Sequence, residues 1–398
     1  MTTLVKGFKF RYYPDQAQQV LLGRTFGCTR YVFNYCLDKT RSDYEAYKAN
    51  PTRLKPQVNY SEFSRQLTAL KASSDHIWLN EVSSTALQQS LRRLGVAFTA
   101  FFSKSRKGKS GYPNFRSKYR RQSITLTTDG FRVKDGKVYI AKCSTPLNIL
   151  WHRELPSQPT SLTISLEPTG RYFISFVCEY QPQPTNGQGI IGIDLGITDI
   201  ATMSTGETIA NPRHYIKAAC RLGRLQRQLS KKKPGSKNRD KARLKVAKLH
   251  AHIANQRKDF LHQLTTRLVS KNQAIVIEDL AVGNMGRNRH LSKHIMTAGW
   301  GMFRAMLDYK VVASSWCRLI VADRYYPSSQ LCSTCGERPD QKLKLATRAW
   351  TCPKCHTQHQ RDDNASKNLA NIAFKYPELW QDHPGMTTLT GSYKDLRV

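Results

Sequence analysis

Residues 332–369 read CSTCGERPDQKLKLATRAWTCPKCHTQHQRDDNASKNL. The two C-x2-C pairs, Cys332/Cys335 and Cys352/Cys355, have the spacing of a structural zinc site. Four thiolates at tetrahedral distance need two tight knuckles on separate turns, and each pair supplies one. A thiolate-only set leaves no open coordination position, so this Zn2+ is expected to be scaffold. Asp362 and Asp363 follow at once, on what reads as the first turn of a helix. An acid there can be an N-cap. It can also be a carboxylate held rigidly for catalysis, and that reading requires partner acids upstream.

Two stretches supply them. Asp194 sits inside I-I-G-I-D-L-G (190–196), and Glu278 closes the apolar run A-I-V-I-E-D-L (274–280). Each has a plain structural explanation, a turn for Asp194 and a solvated strand end for Glu278. Together they say more, because an acid inside an apolar strand is costly unless a cation compensates it. Carboxylates converging from two strands and a helix can hold two Mg2+ ions, the chemistry of phosphodiester hydrolysis.

Charge points to the substrate. The chain has 398 residues with 63 Lys plus Arg against 28 Asp plus Glu, a formal charge of +35. Such an excess repels itself in a compact fold unless a polyanion is the usual partner, and nucleic acid is the expected one. The six remaining cysteines (Cys28, Cys36, Cys143, Cys178, Cys220 and Cys317) are scattered through apolar or helical contexts. They suit a reduced compartment rather than a disulfide framework. The opening M-T-T-L-V-K-G-F-K-F lacks an apolar signal core, and no run reaches membrane-spanning length. A soluble, cytoplasmic protein with no membrane partner is expected.

Along the chain, Leu4 to Tyr12 alternates as a strand. Beyond P-D-Q-A-Q-Q, one helical face carries Leu22, Phe26, Phe33 and Leu37, and another carries Leu87, Leu91, Leu94, Phe98 and Phe101. From Lys104 the stretch K-S-R-K-G-K-S-G-Y-P-N-F-R-S-K-Y-R-R interleaves cations with Tyr112, Phe115 and Tyr119, a composition suited to a nucleic-acid backbone and stacked bases. Short alternating runs follow, joined by D-G at 135–136 and P-T-G at 168–170, and predict a small antiparallel β-barrel. The first strand is expected to pair with it, making the helical unit an insertion. Residues 181–189 read as a linker. Residues 213–262 read as a very basic helical hairpin broken near Pro234, and after Lys375 the pattern fades into a tail.

The fold expected is therefore α/β and multidomain. Residues 1–185 form an N-terminal barrel (about 1–12 and 105–182) carrying a helical recognition unit (about 13–104). Residues 186–372 form a catalytic domain with a zinc-binding insertion (about 328–359), and 373–398 a flexible tail.

The motifs G-I-D-L-G-I-T-D-I-A, I-E-D-L-A-V-G-N-M, A-G-W-G-M-F, Y-P-S-S-Q-L-C-S-T-C-G, W-T-C-P-K-C and R-D-D-N-A-S-K-N-L closely resemble those of TnpB, the transposon-encoded family related to type V CRISPR effectors. Y-Y-P-D-Q-A-Q-Q and G-Y-P-N-F-R-S-K-Y fit as well, so the resemblance runs over most of the chain. It implies an RNA-guided DNA endonuclease with a RuvC-like, RNase H-type catalytic domain. Guide RNA from the transposon end and double-stranded target DNA bearing a short adjacent motif are the implied partners, with the protein monomeric on its RNA. Asp194, Glu278 and Asp362 match the family's three acids, Asp362 because the family pattern is R-D-x-N-A. Cys332, Cys335, Cys352 and Cys355 match its zinc ligands. Gln360, Ser366 and Thr297 depart from common family residues, and none of these departures touches the acids.

The basic regions divide accordingly. Arg106, Lys107, Lys109, Tyr112, Phe115, Arg116 and Lys118 suit the RNA scaffold. Arg224, Arg227, Lys231 and Lys232 suit the guide–target heteroduplex, and Tyr60, Ser64 and Gln88 the adjacent motif. Two other functions share these residues: a transposase performing strand transfer, and an RNA-guided DNA binder that does not cleave.

Overall fold

The computed structural model describes residues 3–103, 111–182, 186–314, 316–344 and 346–380, and the backbone of 385–388. The chain divides after Tyr180 into two compact units.

In the first unit, β1 (Leu4–Tyr12) turns its alternate residues Phe8, Phe10 and Tyr12 into the core. The helix α1 (Gln16–Ala49) starts at Asp15, whose side chain accepts from the Gln18 backbone N–H at 2.8 Å, while Gln18 returns the contact to the Asp15 N–H. This reciprocal cap satisfies two amides the first turn leaves open. Next come α2 (Tyr60–Ala72), a 3-10 turn at Ser74–Glu81, and α3 (Ser84–Phe102). Leu22, Phe26, Phe33 and Leu37 of α1 and Leu87, Leu91, Leu94 and Phe98 of α3 are all buried; Phe101 is 37% exposed.

The strands are β2 (Gln122–Thr127), β3 (Phe131–Lys134), β4 (Lys137–Ile140), β5 (Ile149–Leu150), β6 (Ser161–Leu166) and β7 (Tyr172–Tyr180). β1 pairs antiparallel with β7 along its whole length and with β5 at Arg11 and Tyr12. The five-stranded sheet runs β2-β6-β7-β1-β5, and β3 and β4 form a separate hairpin. The D-G turn joining them has Asp135 and Gly136 both at positive φ, as a tight hairpin turn demands. The barrel expectation is corrected here: among the described residues no pairing joins β2 to β5, and the sheet stays open. The short runs that suggested closure went partly into the independent β3–β4 hairpin, and β5 is too short to continue the ladder.

The second unit is built on a six-stranded sheet in the order β10-β9-β8-β11-β12-β15. Its strands are β8 (Gly189–Asp194), β9 (Asp199–Met203), β10 (Thr208–Ala210), β11 (Asn272–Ile277), β12 (Arg318–Val321) and β15 (Gly385–Thr388), with the small hairpin strands β13 (Ala349–Thr351) and β14 (Gln358–Gln360) apart. β10, β9 and β8 are antiparallel; β11, β12 and β15 are parallel to β8. Within the stretch read as a tail, the backbone of Gly385–Thr388 thus pairs with β12.

Between strands lie α4 (His214–Ser230), α5 (Lys237–Lys271), α6 (Val282–Met285), α7 (Ser292–Ala298), α8 (Trp300–Ser314) and α9 (Arg361–Lys375). Alternation along β11 feeds two cores. Ile275 and Ile277 pack with Leu261, Leu264 and Leu268 of α5 and Phe303 and Leu307 of α8, while Ala274 and Val276 pack with Leu369 and Ile372 of α9. The sheet is therefore covered on both faces, as parallel strands require. No helix among the described residues is long and apolar enough to cross a membrane.

Candidate active site and cysteine knuckle

β8 and β11 run parallel with Ile193 opposite Ile277. The next residues, Asp194 and Glu278, consequently leave matching positions at the carboxyl ends of neighbouring strands. Asp362 is the second residue of α9, which crosses the same region of β8. Gly192 is what lets it cross. A Cβ there would stand 2.0 Å from the Ser366 carbonyl and 2.4 Å from the Ala370 nitrogen, so only glycine admits a helix backbone this near.

Two asparagines fix the start of α9. Asn364, fully buried, donates to the Leu331 carbonyl at 2.6 Å and accepts from the Ser333 N–H at 2.9 Å. One turn later Asn368 donates to the carbonyls of Ser328 at 2.7 Å and Leu331 at 2.8 Å. Ser328 in turn donates its hydroxyl to Glu278 at 2.6 Å, so one buried serine ties the second acid to the helix bearing the third. Asp363 bonds Lys367 one turn along at 2.7 Å.

Electrostatics registers the convergence. Burial, then the carboxylates of Glu278 and Asp362, push Asp194 up to about 8 against the pull of Arg361 and Arg348. Glu278 is raised by burial and by Asp362, while the Ser328 hydrogen bond and Arg361 oppose the shift. Burial and acidic neighbours thus penalise the charge of Asp194 and Glu278, both within electrostatic reach of Asp362. Arg348 reaches Asp362 at 3.6 Å. Asp279 behaves differently: burial works to raise it, but hydrogen bonds from Arg304 and Arg324 hold it below the usual carboxylate range.

The four cysteines form the group whose ligand atoms all lie within 4.8 Å of one another. Cys332 and Cys355 sulfurs stand 3.5 Å apart, Cys335 and Cys352 3.6 Å. The two knuckles repeat one design. The Cys332 N–H bonds Glu337 O and the Gly336 N–H bonds Cys332 O; likewise Cys352 N–H bonds Thr357 O and His356 N–H bonds Cys352 O. Each knuckle needs a left-handed residue just after its second cysteine, Gly336 (φ 74) in one and His356 (φ 57) in the other. The set fits zinc. His359, buried on β14, adds a contact not foreseen from spacing: its Nε2 lies 3.1 Å from Cys332 Sγ.

Of the proposed nucleic-acid contacts, Arg224, Arg227, Lys231 and Lys232 are exposed on α4 and the turn after it. Tyr60 is half-buried under Arg92, whose guanidinium sits 4.1 Å over its ring; Ser64 is partly buried and Gln88 exposed. Tyr112 packs edge-on against Phe98 and Phe101, Phe115 is 49% exposed, and Lys118 is exposed beside the Tyr119 ring. Arg116 is half-buried, its guanidinium 3.7 Å over Phe33. Arg106, Lys107 and Lys109 lie outside the described residues. Sequence reasoning missed Ser328, Asn364, Asn368 and His359. The i, i+4 spacing of the asparagines on a helix otherwise rich in small residues was the one available signal.

Fold and site define a two-unit protein with two acids at strand ends, a third at the start of a helix, and a cysteine knuckle just before that helix. Residues 175–289 match a family model described as "Probable transposase", residues 300–369 one described as "Cas12f1-like, TNB domain", and residues 1–49 one described as "Helix-turn-helix domain". In the last segment β1 leads into the single helix α1. The chain is 43% identical over 377 residues, 93% of its length and 89% of the relative's, to a protein of Streptomyces pristinaespiralis named "Putative RNA-guided DNA endonuclease". It is 30% identical to "Putative RNA-guided DNA endonuclease InsQ" of Escherichia coli, covering 92% of this chain and 91% of that one. A solved Cas12f1–sgRNA–target DNA complex contains a chain with 13% identity and a TM-score of 0.46, over 93% of this chain and 99% of that one. The chain belongs to the TnpB family.

Proposed function

We propose that this protein is an RNA-guided DNA endonuclease in which Asp194, Glu278 and Asp362 hold the catalytic metal. The observation that carries the reading is the triad itself. Two acids stand at matched ends of parallel strands and a third on a helix seated on Gly192, all three in electrostatic contact. The strand order, three antiparallel strands followed by parallel ones with helices on both faces, supports an RNase H-like, RuvC-type domain. Magnesium, two ions by this reading, would activate water and stabilise the leaving oxygen when bound. The chain's own part is to hold three carboxylates at fixed positions, with Ser328 orienting Glu278 and Asn364 and Asn368 locking the helix. The knuckle, packed through Leu331 and Ser333 onto those asparagines, keeps the third acid in place.

The positive charge of the chain and the relatives' names support guide RNA and double-stranded DNA with a short adjacent motif as partners. A second reading, strand transfer between transposon ends, is favoured by the description of the model matching residues 175–289. One experiment separates them. Protein with its co-purifying RNA, Mg2+ and a duplex matching that RNA should be cut, and Asp194→Ala, Glu278→Ala or Asp362→Ala should abolish cutting while guided binding persists. A several-kcal/mol metal contribution corresponds to a loss of at least about a hundredfold. Joining of DNA ends without RNA would establish the transposase instead.

A further inference from the structure

The first unit contains a cavity of about 260 Å³ whose walls include Arg30, Arg93, Arg116, Arg120 and Arg121 and no acidic residue. Among the described residues none of these five makes an ion pair. A cluster of guanidiniums is normally neutralised by carboxylates or spread through solvent. Here it is assembled from α1, α3 and the segment before β2, and it is fastened by neutral groups.

The fastening is specific. Asn34 grips the Arg116 backbone from both sides, accepting from its N–H at 2.7 Å and donating to its carbonyl at 3.0 Å. The Arg116 guanidinium stacks on Phe33 and donates to Ser90 Oγ at 2.9 Å, and Ser90 donates in turn to the Thr29 carbonyl at 2.7 Å. Gln122 accepts from Arg30 at 2.9 Å and donates to the carbonyls of Ser117 and Arg120. Arg93 donates to Ser123 Oγ at 3.3 Å and to Thr125 Oγ1. Hydroxyls, amides and an aromatic face position the charges without cancelling them. Burial depresses Arg116 to about 10, with Arg93 adding to the effect, and Arg93 is lowered by burial and by Arg121. Holding desolvated like charges together costs free energy that an anion would repay.

We infer that this pocket binds a backbone phosphate of nucleic acid. Guanidinium forks match phosphate oxygens in pairs, and a preorganised cradle fixes the register of a strand without reading its bases. The inference rests on the proposed function, since it deepens where that nucleic acid is held. Arg120 and Arg121 are exposed and can be changed without opening the core, whereas Arg93 and Arg116 are half-buried.

The test compares wild type with Arg120→Gln/Arg121→Gln and with Arg120→Lys/Arg121→Lys, measuring affinity against NaCl concentration. One arm uses a labelled transcript of the RNA that co-purifies with wild type. The other uses RNA-loaded protein and its matched duplex. Loss of a phosphate contact reduces the slope of log affinity against log salt by about one unit, and lysine, which keeps the charge, should restore most of it. A reduced slope in the RNA arm assigns the phosphate to RNA, and in the duplex arm alone, to DNA. Unchanged slopes in both arms, with wild type binding normally, overturn the pocket and leave the proposed function standing. Failure of wild type to bind RNA or matched duplex overturns both.

Discussion

Gly192 of β8 lies against the Ser366 carbonyl of α9 so closely that a Cβ at position 192 would stand 2.0 Å from that oxygen. The obstruction is backbone, which cannot rotate away. Gly192→Ala should therefore destabilise the second unit by about 1–3 kcal/mol, the usual cost of overpacking. It should also move α9, so cutting declines although no chemical group was removed. Gly223→Ala on α4, with nothing within 4 Å, is the control and should be neutral or stabilising by up to about 1 kcal/mol. Urea denaturation of both variants decides the matter; equal midpoints would mean α9 is not seated on Gly192.

Asp194 gives the stability a pH dependence opposite to that of an ion-paired acid. Burial and its two acidic neighbours raise it to about 8, above the unfolded value near 3.9. Between those values the folded protein holds a proton that the unfolded chain releases. Stability should then fall as pH climbs from about 4 towards about 8, by up to about 1.4 kcal/mol per pH unit for the one proton. Asp194→Asn should flatten that profile. Mg2+ at pH 8, favouring the ionised form, should recover stability in wild type and not in the variant. Thermal unfolding across pH in the absence of divalent ions tests this, and parallel profiles for the two proteins would refute it.

His359 stands behind the four cysteines that fit zinc rather than among them. Burial lowers its pKa, and its Nε2, 3.1 Å from Cys332 Sγ, can donate to that sulfur. A partner of this kind sets ligand orientation, and its loss costs about 10–100-fold in metal affinity. Zinc competition with a chromogenic chelator should show that drop for His359→Ala, with zinc still bound in the untreated protein. An unaltered affinity would reduce His359 to a packing partner of Trp350.

The periodic elements could be read from local patterns because each signal lies within a few residues. The buried faces of α1 and α3 follow from leucines and phenylalanines a turn apart, and the cysteine knuckles from spacing alone. What escaped depends on long separations. Nothing near Ser328 announces that it reaches Glu278, fifty residues away in sequence. The open sheet could not be told from a barrel because strand alternation is the same in both, and only β2 and β5 reveal that the edges do not meet. Nor does the cation–aromatic composition around Arg116 disclose that Asn34 holds its backbone and Phe33 takes its guanidinium.

Glu278 and Asp279 are adjacent acids in opposite surroundings, and substitution should separate them. Asp279 accepts from Arg304 at 2.7 Å and from Arg324, joining α8 to the segment after β12. Glu278 faces Ser328 and the other two acids. Asp279→Asn removes the charge shared by two guanidiniums. Because those arginines are partly solvated, the loss should be modest, about 1 kcal/mol, and should appear as a lower urea midpoint. Cutting by that variant should survive at temperatures where it remains folded. Glu278→Gln keeps the hydrogen bond from Ser328 and removes a charge that the site penalises, so its stability should equal or exceed wild type while cutting is lost. The crossed pattern is the diagnostic: one variant weaker yet active, the other stable yet inactive. If both lose cutting without losing stability, Asp279 belongs to the metal site and the division drawn from its two arginines is wrong.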